Sequence, residues 1–207
     1  MFYKAAERDH NLLPHDPIKA IVAPRPIGWI SSLSEDGKPN LAPYSYFNAV
    51  CGAPHLVMFS SDSEKDSVAN IRKTGEFVAN YASMELAEAM NASSVDAPHG
   101  VDEFNYAGLE AEPSQMVAPP RVKGIAAALE CKLTQIVQPV DIQGSKTASF
   151  MVIGQVVGIY IDDAMIVDGR FDVTLARHIT RMGYRDYLGP DGYFEMIRPK
   201  WDGPGSR

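Results

Sequence analysis

The chain has 207 residues, 45% of them apolar and 22% charged, with a formal net charge of −7. That composition suits one domain with its own core and is too apolar for a disordered chain. The acidic balance disfavours nucleic acid and anionic membrane as partners, since both would be repelled, and no apolar run reaches the ~18 residues of a membrane span.

Met1–His10 is polar and charged, so no secretory signal is expected. Cys51 and Cys131 lie far apart without CxxC or metal spacing. They read as reduced thiols with structural or inert roles in a cytoplasmic protein. The first apolar stretches, 19–23 and 27–33, are β-branched and read as strands. Glu35-Asp36-Gly37-Lys38 is a hairpin turn, because Asp-Gly tolerates the positive φ that tight hairpins need. A strand over 40–49 follows, then a buried strand over 55–59 that ends in Ser60-Ser61.

A short helix comes next, with Asp66 or Ser67 as N-cap, Val68 and Ile71 on its apolar face, and Gly75 as its stop. The pattern then predicts a strand over 76–82, a helix over 84–92 and a loop-rich stretch over 94–128. Two long strands are expected at 129–138 and 148–161. The tail mixes turns, a short helix near 173–179 and an aromatic-rich end. Six or seven strands with two or three short helices, and no regular βαβ alternation, argue for a β-rich single domain built as a barrel or sandwich.

Serine-hydrolase, zincin, P-loop and dinucleotide-fold motifs are all missing, and the five histidines lack ligand spacing. Three segments remain as candidates. Ser60–Ser67 joins a buried strand to a helix start, and its hydroxyls and Lys65 can cradle a phosphate over the free N–H groups of the first turn. The same segment can equally be a solvated turn with an ordinary cap. Arg25 sits between Pro24 and Pro26, which stiffen the chain around it, with Trp29 just beyond; a surface arginine beside a core tryptophan is the plainer reading. Asn40–Asn48 interleaves Tyr44, Tyr46 and Phe47 with polar groups, a pattern that suits either a wall for a planar ring or a barrel strand.

Taken in order, Pro24–Ser32 (PRPIGWISS), Asp36–Val50 (DGKPNLAPYSYFNAV), Pro54–Ser61 (PHLVMFSS) and Lys65–Ile71 (KDSVANI) resemble the opening of the flavin reductase-like, FMN-binding split-barrel family. That family includes flavin reductases of the nitrilotriacetate monooxygenase component B type and flavoredoxins. The resemblance continues through Glu76–Ala82, His99–Ser114, Pro119–Val122, Ala128–Leu133, Val152–Ile161, Asp168–Val173 and Arg181–Pro190. It is strongest over 17–187 of a single 1–207 domain, and it implies a Greek-key split β-barrel with a few short helices.

The resemblance also implies a function: an NAD(P)H:flavin reductase that passes hydride from NADH or NADPH to FMN, working as a homodimer and serving a monooxygenase or another electron-transfer partner. A flavoredoxin-type FMN electron carrier is the alternative. Ser60, Ser61, Lys65 and Ser67 would hold the phosphate, with Asp66 as a cap. Asn40, Ser45, Tyr46, Phe47 and Asn48 would lie along the ring and ribityl chain. Arg25 and Trp29 would lie near the flavin, and Arg181 and Tyr184 would approach from the tail, with Arg181 facing the charge of the reduced ring. The flavin carries the chemistry, so no catalytic side chain is assigned. Two departures stand out. Lys146–Phe150 has no histidine where many short members carry Gly-Asp-His, the histidine linked to nicotinamide contact. Tyr184 stands where glycine is common, adding bulk near the expected ring face.

Overall fold

The computed structural model describes residues 1–190; the aromatic-rich end beyond them, 191–207, lies outside the described residues. Its main sheet has seven strands: β1 (Gly28–Leu33), β2 (Pro39–Tyr44), β3 (Phe47–Gly52), β4 (His55–Ser61), β5 (Glu76–Asn80), β8 (Ala127–Val137) and β9 (Phe150–Ile161). The remaining short strands form two-residue ribbons: β6 (Ala111–Glu112) with β7 (Arg121–Val122), β10 (Ile166–Val167) with β11 (Arg170–Phe171), and β12 (Thr180–Arg181) with β13 (Tyr187–Leu188). The helices are α1 (Ile18–Ile21), α2 (Asp66–Thr74), α3 (Ala87–Ala92) and α4 (Glu103–Tyr106).

The strand order is β2-β1-β5-β8-β9-β4-β3, antiparallel at every pairing. Phe59 of β4 and Phe77 of β5 show how strongly it curls. Two strands separate theirs, so a flat sheet would hold them roughly 14 Å apart. Their ring centroids lie 5.8 Å apart, which requires the sheet to close on itself into a half-barrel. The edge strands β2 and β3 are consecutive in sequence, joined only by Ser45-Tyr46. At Gly28 a Cβ would lie 2.5 Å from Phe47 Cδ2, so glycine is what lets the ring from one edge rest on β1 near the other.

Alternation along each strand divides the core in two. Ile30, Phe59, Phe77, Ala79 and Val152 point into the barrel, where Val68 and Ile71 of α2 plug it. Trp29, Leu41, Val78 and Ala128 point outward, where Met90 of α3, Phe104 of α4 and Val117–Ile125 cover them. The expected split barrel is therefore what forms, with both faces of its central strands buried.

Some elements differ from expectation. The apolar run 19–23 is not a strand; Ile18–Ile21 makes a single helical turn after Pro17. The strand expected over 40–49 is two strands on opposite edges. The strand over 76–82 stops at Asn80, and the helix over 84–92 begins at Ala87. The 94–128 stretch holds α4 and the β6–β7 ribbon. Residues 173–177 form turns rather than a helix. The Asp36-Gly37 hairpin (Gly37 φ 76°) and the Gly75 stop (φ 74°) form as expected.

Candidate functional site

β4 enters the barrel wall with Phe59 fully buried and ends at Ser61, which is itself buried. The chain turns through 62–65 and starts α2. Lys65, not Asp66 or Ser67, is the N-cap residue, and it makes no side-chain cap bond. The first intrahelical bond runs from the Ala69 N–H to the Lys65 carbonyl. The N–H groups of Asp66, Ser67 and Val68 thus precede the helical ladder, at its positive end. Asp66, expected as a cap, instead accepts from His99 Nδ1 at 2.6 Å and from the Gly100 N–H at 3.0 Å. Its partners lie on another loop, so it ties that loop to the helix start.

Beside this corner runs a groove. One stretch is lined by Asn40, Ala42, Ser67, Ser93–Ala97 and Glu103; the next by Lys19, Ser45, Tyr46, Ser60 and Ser61. Pro43, Tyr44 and Lys65 border both stretches, so the two adjoin at the mouth of the barrel. Asn40 donates to Ser67 Oγ at 2.9 Å, which fixes that hydroxyl at the head of α2. Ser60 donates its N–H to the Tyr46 carbonyl at 2.8 Å, holding the β2–β3 crossing against β4.

Burial raises the Tyr44 phenol above its usual value, opposed by the neighbouring Ser67 and Ser61 hydroxyls, so it stays protonated at neutral pH. Its ring rests on Phe59, with centroids 4.6 Å apart. Desolvation likewise raises the Glu103 carboxyl, while the Leu41 N–H it accepts at 3.0 Å pulls the other way.

The donors left over define what the groove can hold. Ser61 Oγ is buried and, among the described residues, makes no hydrogen bond of normal geometry, although the Tyr44 phenol lies close beside it. Among the described residues Lys65 Nζ reaches only Asp96, at a loose 3.4 Å. Of the nearby acids, Glu64 turns to Arg72 at 2.7 Å, while Asp62, Asp66, Asp96 and Glu103 line the groove and oppose an anion there. An unspent hydroxyl, a lightly held ammonium and a helix start suit a compact oxyanion such as a phosphomonoester. The cofactor expected from the sequence therefore fits this corner.

Of the residues expected there, Asn40, Ser45, Tyr46, Ser60, Ser61, Lys65, Asp66 and Ser67 do line the groove. The others do not line these two stretches. Trp29 is fully buried on the outer face and donates its indole N–H to Ser93 Oγ at 2.9 Å. It therefore positions a groove residue without touching the channel. Arg25 is buried too, its terminal nitrogens spent on the carbonyls of Lys19, Val22 and Met182 while Nε finds no partner among the described residues, and it lies 6.0 Å from the ring of the groove residue Tyr46. Phe47 packs on Gly28, and the exposed Asn48 turns back to accept from the Ala49 N–H. Arg181 donates to Tyr187 Oη and to the Tyr184 carbonyl and stacks on the Tyr187 ring. Tyr184, at φ 54°, meets His15 edge-on.

Sequence reasoning passed over Lys19, Ser93–Ala97 and Glu103, and it placed Pro43 and Tyr44 only within the 40–48 segment. Period-two alternation with Asn40 puts Tyr44 on the groove face of its strand; nothing local marks the 93–97 wall.

The flavin reductase like domain model matches residues 22–173. An uncharacterized protein of Aquifex aeolicus is 35% identical over 195 residues, covering 91% of this chain and 95% of that one. Nitrilotriacetate monooxygenase component B from Bacillus cereus superposes with a TM-score of 0.86 at 25% identity, covering 95% of this chain and 98% of its own. The Pseudomonas fluorescens 2-nitrobenzoate 2-nitroreductase NbaA gives a TM-score of 0.85 at 28% identity, with 100% of both chains covered.

Proposed function

The chain belongs to the flavin reductase-like family, and on that premise we propose that it binds FMN in the groove and works as an NAD(P)H:flavin reductase. The observation that carries the reading is the Ser61–Lys65–Ser67 corner, where a buried donor is unspent and an ammonium is loosely held. When bound, FMN supplies the hydride-accepting ring, so the protein needs no acid–base pair of its own.

The chain's residues bind and orient. Lys65 balances the phosphate charge, while Ser61, Ser67 and the first N–H groups of α2 donate to its oxygens. Tyr44, protonated and backed by Phe59, walls the channel beyond. Ser45 and Tyr46, at the crossing between the barrel edges, border its other stretch. NADH or NADPH would be the reductant, and a monooxygenase or another electron-transfer protein would draw on the product.

A homodimer belongs to the same reading. It is supported by β3, an edge strand exposed from Asn48 to Gly52 with Val50 half bare. A cytoplasmic location is supported by the two free cysteines, Cys51 exposed and Cys131 buried. No helix among the described residues is long and apolar enough to cross a membrane.

One observation favours the FMN electron carrier as a second reading: the hairpin between β8 and β9 carries Lys146–Phe150 with no histidine. The visible spectrum of FMN-loaded protein, taken before and after anaerobic NADH or NADPH, separates the two. A reductase bleaches its flavin band rapidly, a carrier keeps it, and a protein with no flavin band even after incubation with FMN rejects both.

A further inference from the structure

Resting on the FMN reading, the inference concerns Asp96. The wall of the groove facing β2 is the segment Ser93–Ala97. Its base is fixed, since Ser93 Oγ accepts from the buried Trp29 indole and donates to the Met90 carbonyl at 2.8 Å. Its far end is also fixed, by the grip of Asp66 on His99 and Gly100. Between these anchors Asp96 stands almost wholly in solvent, its side chain 94% exposed, with its carboxylate 3.4 Å from Lys65 Nζ. The loop thus sets an acid against the cation best placed for the phosphate, at the groove's own rim.

We propose that Asp96 is an internal competitor for Lys65: a gate that anionic ligands must displace and uncharged ones need not. A phosphomonoester approaching Lys65 meets a like charge a few ångströms away. The exposed, weakly paired Asp96 is the member of the pair free to swing out. Affinity for the phosphorylated flavin is thereby held down, which keeps the ligand exchangeable. The dephosphorylated flavin, riboflavin, has no charge for Asp96 to oppose.

The test is a fluorescence titration of the full chain with FMN and with riboflavin, comparing wild type, Asp96→Asn, Lys65→Ala and the double variant. Asp96→Asn should tighten FMN about three- to ten-fold at low salt, an advantage that shrinks as salt screens the charges. Riboflavin affinity should stay within about two-fold, and the gain for FMN should shrink in the Lys65→Ala background to what direct repulsion of the phosphate leaves; an undiminished gain there would overturn the competition with Lys65. If Lys65→Ala weakens FMN while Asp96→Asn leaves it unchanged or weaker, the gate is wrong and the phosphate site stands. If wild type and Asp96→Asn both fail to bind FMN, the gate and the site fall together.

Discussion

Two corners of this molecule carry similar side chains and use them in opposite ways. At the β4–α2 corner, Ser61 keeps a buried hydroxyl unspent and Lys65 is held only loosely. At the strap corner, where the 176–188 segment crosses the barrel, Arg25 gives its terminal nitrogens to three main-chain carbonyls. Arg25 and Arg181 also exchange backbone hydrogen bonds at 2.9 Å in both directions. Ile179 donates its N–H to the Ala82 carbonyl, and His178 stacks on Tyr81 with centroids 4.4 Å apart. The two side chains differ in commitment: the terminal nitrogens of Arg25 are filled from within, although Arg25 Nε, Tyr81 Oη and Thr180 Oγ1 at the strap lack partners among the described residues as Ser61 Oγ does. A polar group whose bonds are filled from within holds the fold, and one left short can hold a ligand.

The comparison can be broken from the strap side first. Arg25→Ala should lower stability by about 1–3 kcal/mol, because it strips charge-assisted donors from three part-buried hydrogen bonds to main-chain carbonyls. Urea unfolding without flavin reads this directly. An unchanged midpoint together with lost FMN affinity would exchange the roles of the two corners. From the groove side, Lys65→Ala should weaken FMN by about 1–3 kcal/mol, the range for a charge-assisted hydrogen bond. Its urea midpoint should hardly move, since its ion pair is exposed.

Ser61→Ala sharpens the contrast. Deleting a hydroxyl with no partner should leave stability within about 0.5 kcal/mol of wild type and weaken FMN by about 1 kcal/mol. A clear loss of stability would show that the hydroxyl is already spent.

The smallest effect is a pH dependence at the strap. Burial lowers the His178 pKa below its ordinary 6.5, so the native state favours the neutral ring. The stability it lends is complete above that value and is lost as pH falls through the lower, folded one. Urea midpoints between about pH 8 and pH 5 should therefore drop on the acid side. His178→Phe, which preserves a ring on Tyr81, should flatten that drop. Tyr81 itself, pushed up to about 12 by burial, stays protonated throughout.

Much of this was legible in the sequence because its causes are local. Asp36-Gly37 turns a hairpin and Gly75 ends a helix through backbone geometry alone. The apolar alternation of the 129–138 and 148–161 stretches marks the two long strands. The corner proposed for the phosphate was legible as a strand ending in serines before a helix. The remainder depends on partners distant in sequence. Asp66 looked like a cap, but its ligands are His99 and Gly100. Arg25 and Trp29 looked available until Met182 and Ser93 claimed their donors. The run from Asn40 to Val50 looked like one strand because periodicity does not register a chain stepping from one sheet edge to the other. The short stretch Ile18–Ile21, apolar but for Lys19, fits a strand or a helical turn equally well.

A crystal structure of the protein grown with excess FMN tests the central claim most directly. The account predicts the phosphate within hydrogen-bond distance of Ser61 Oγ, Ser67 Oγ and Lys65 Nζ, with the ring system running along the groove beside Tyr44. FMN bound elsewhere, with Ser61 still lacking a partner, would contradict it.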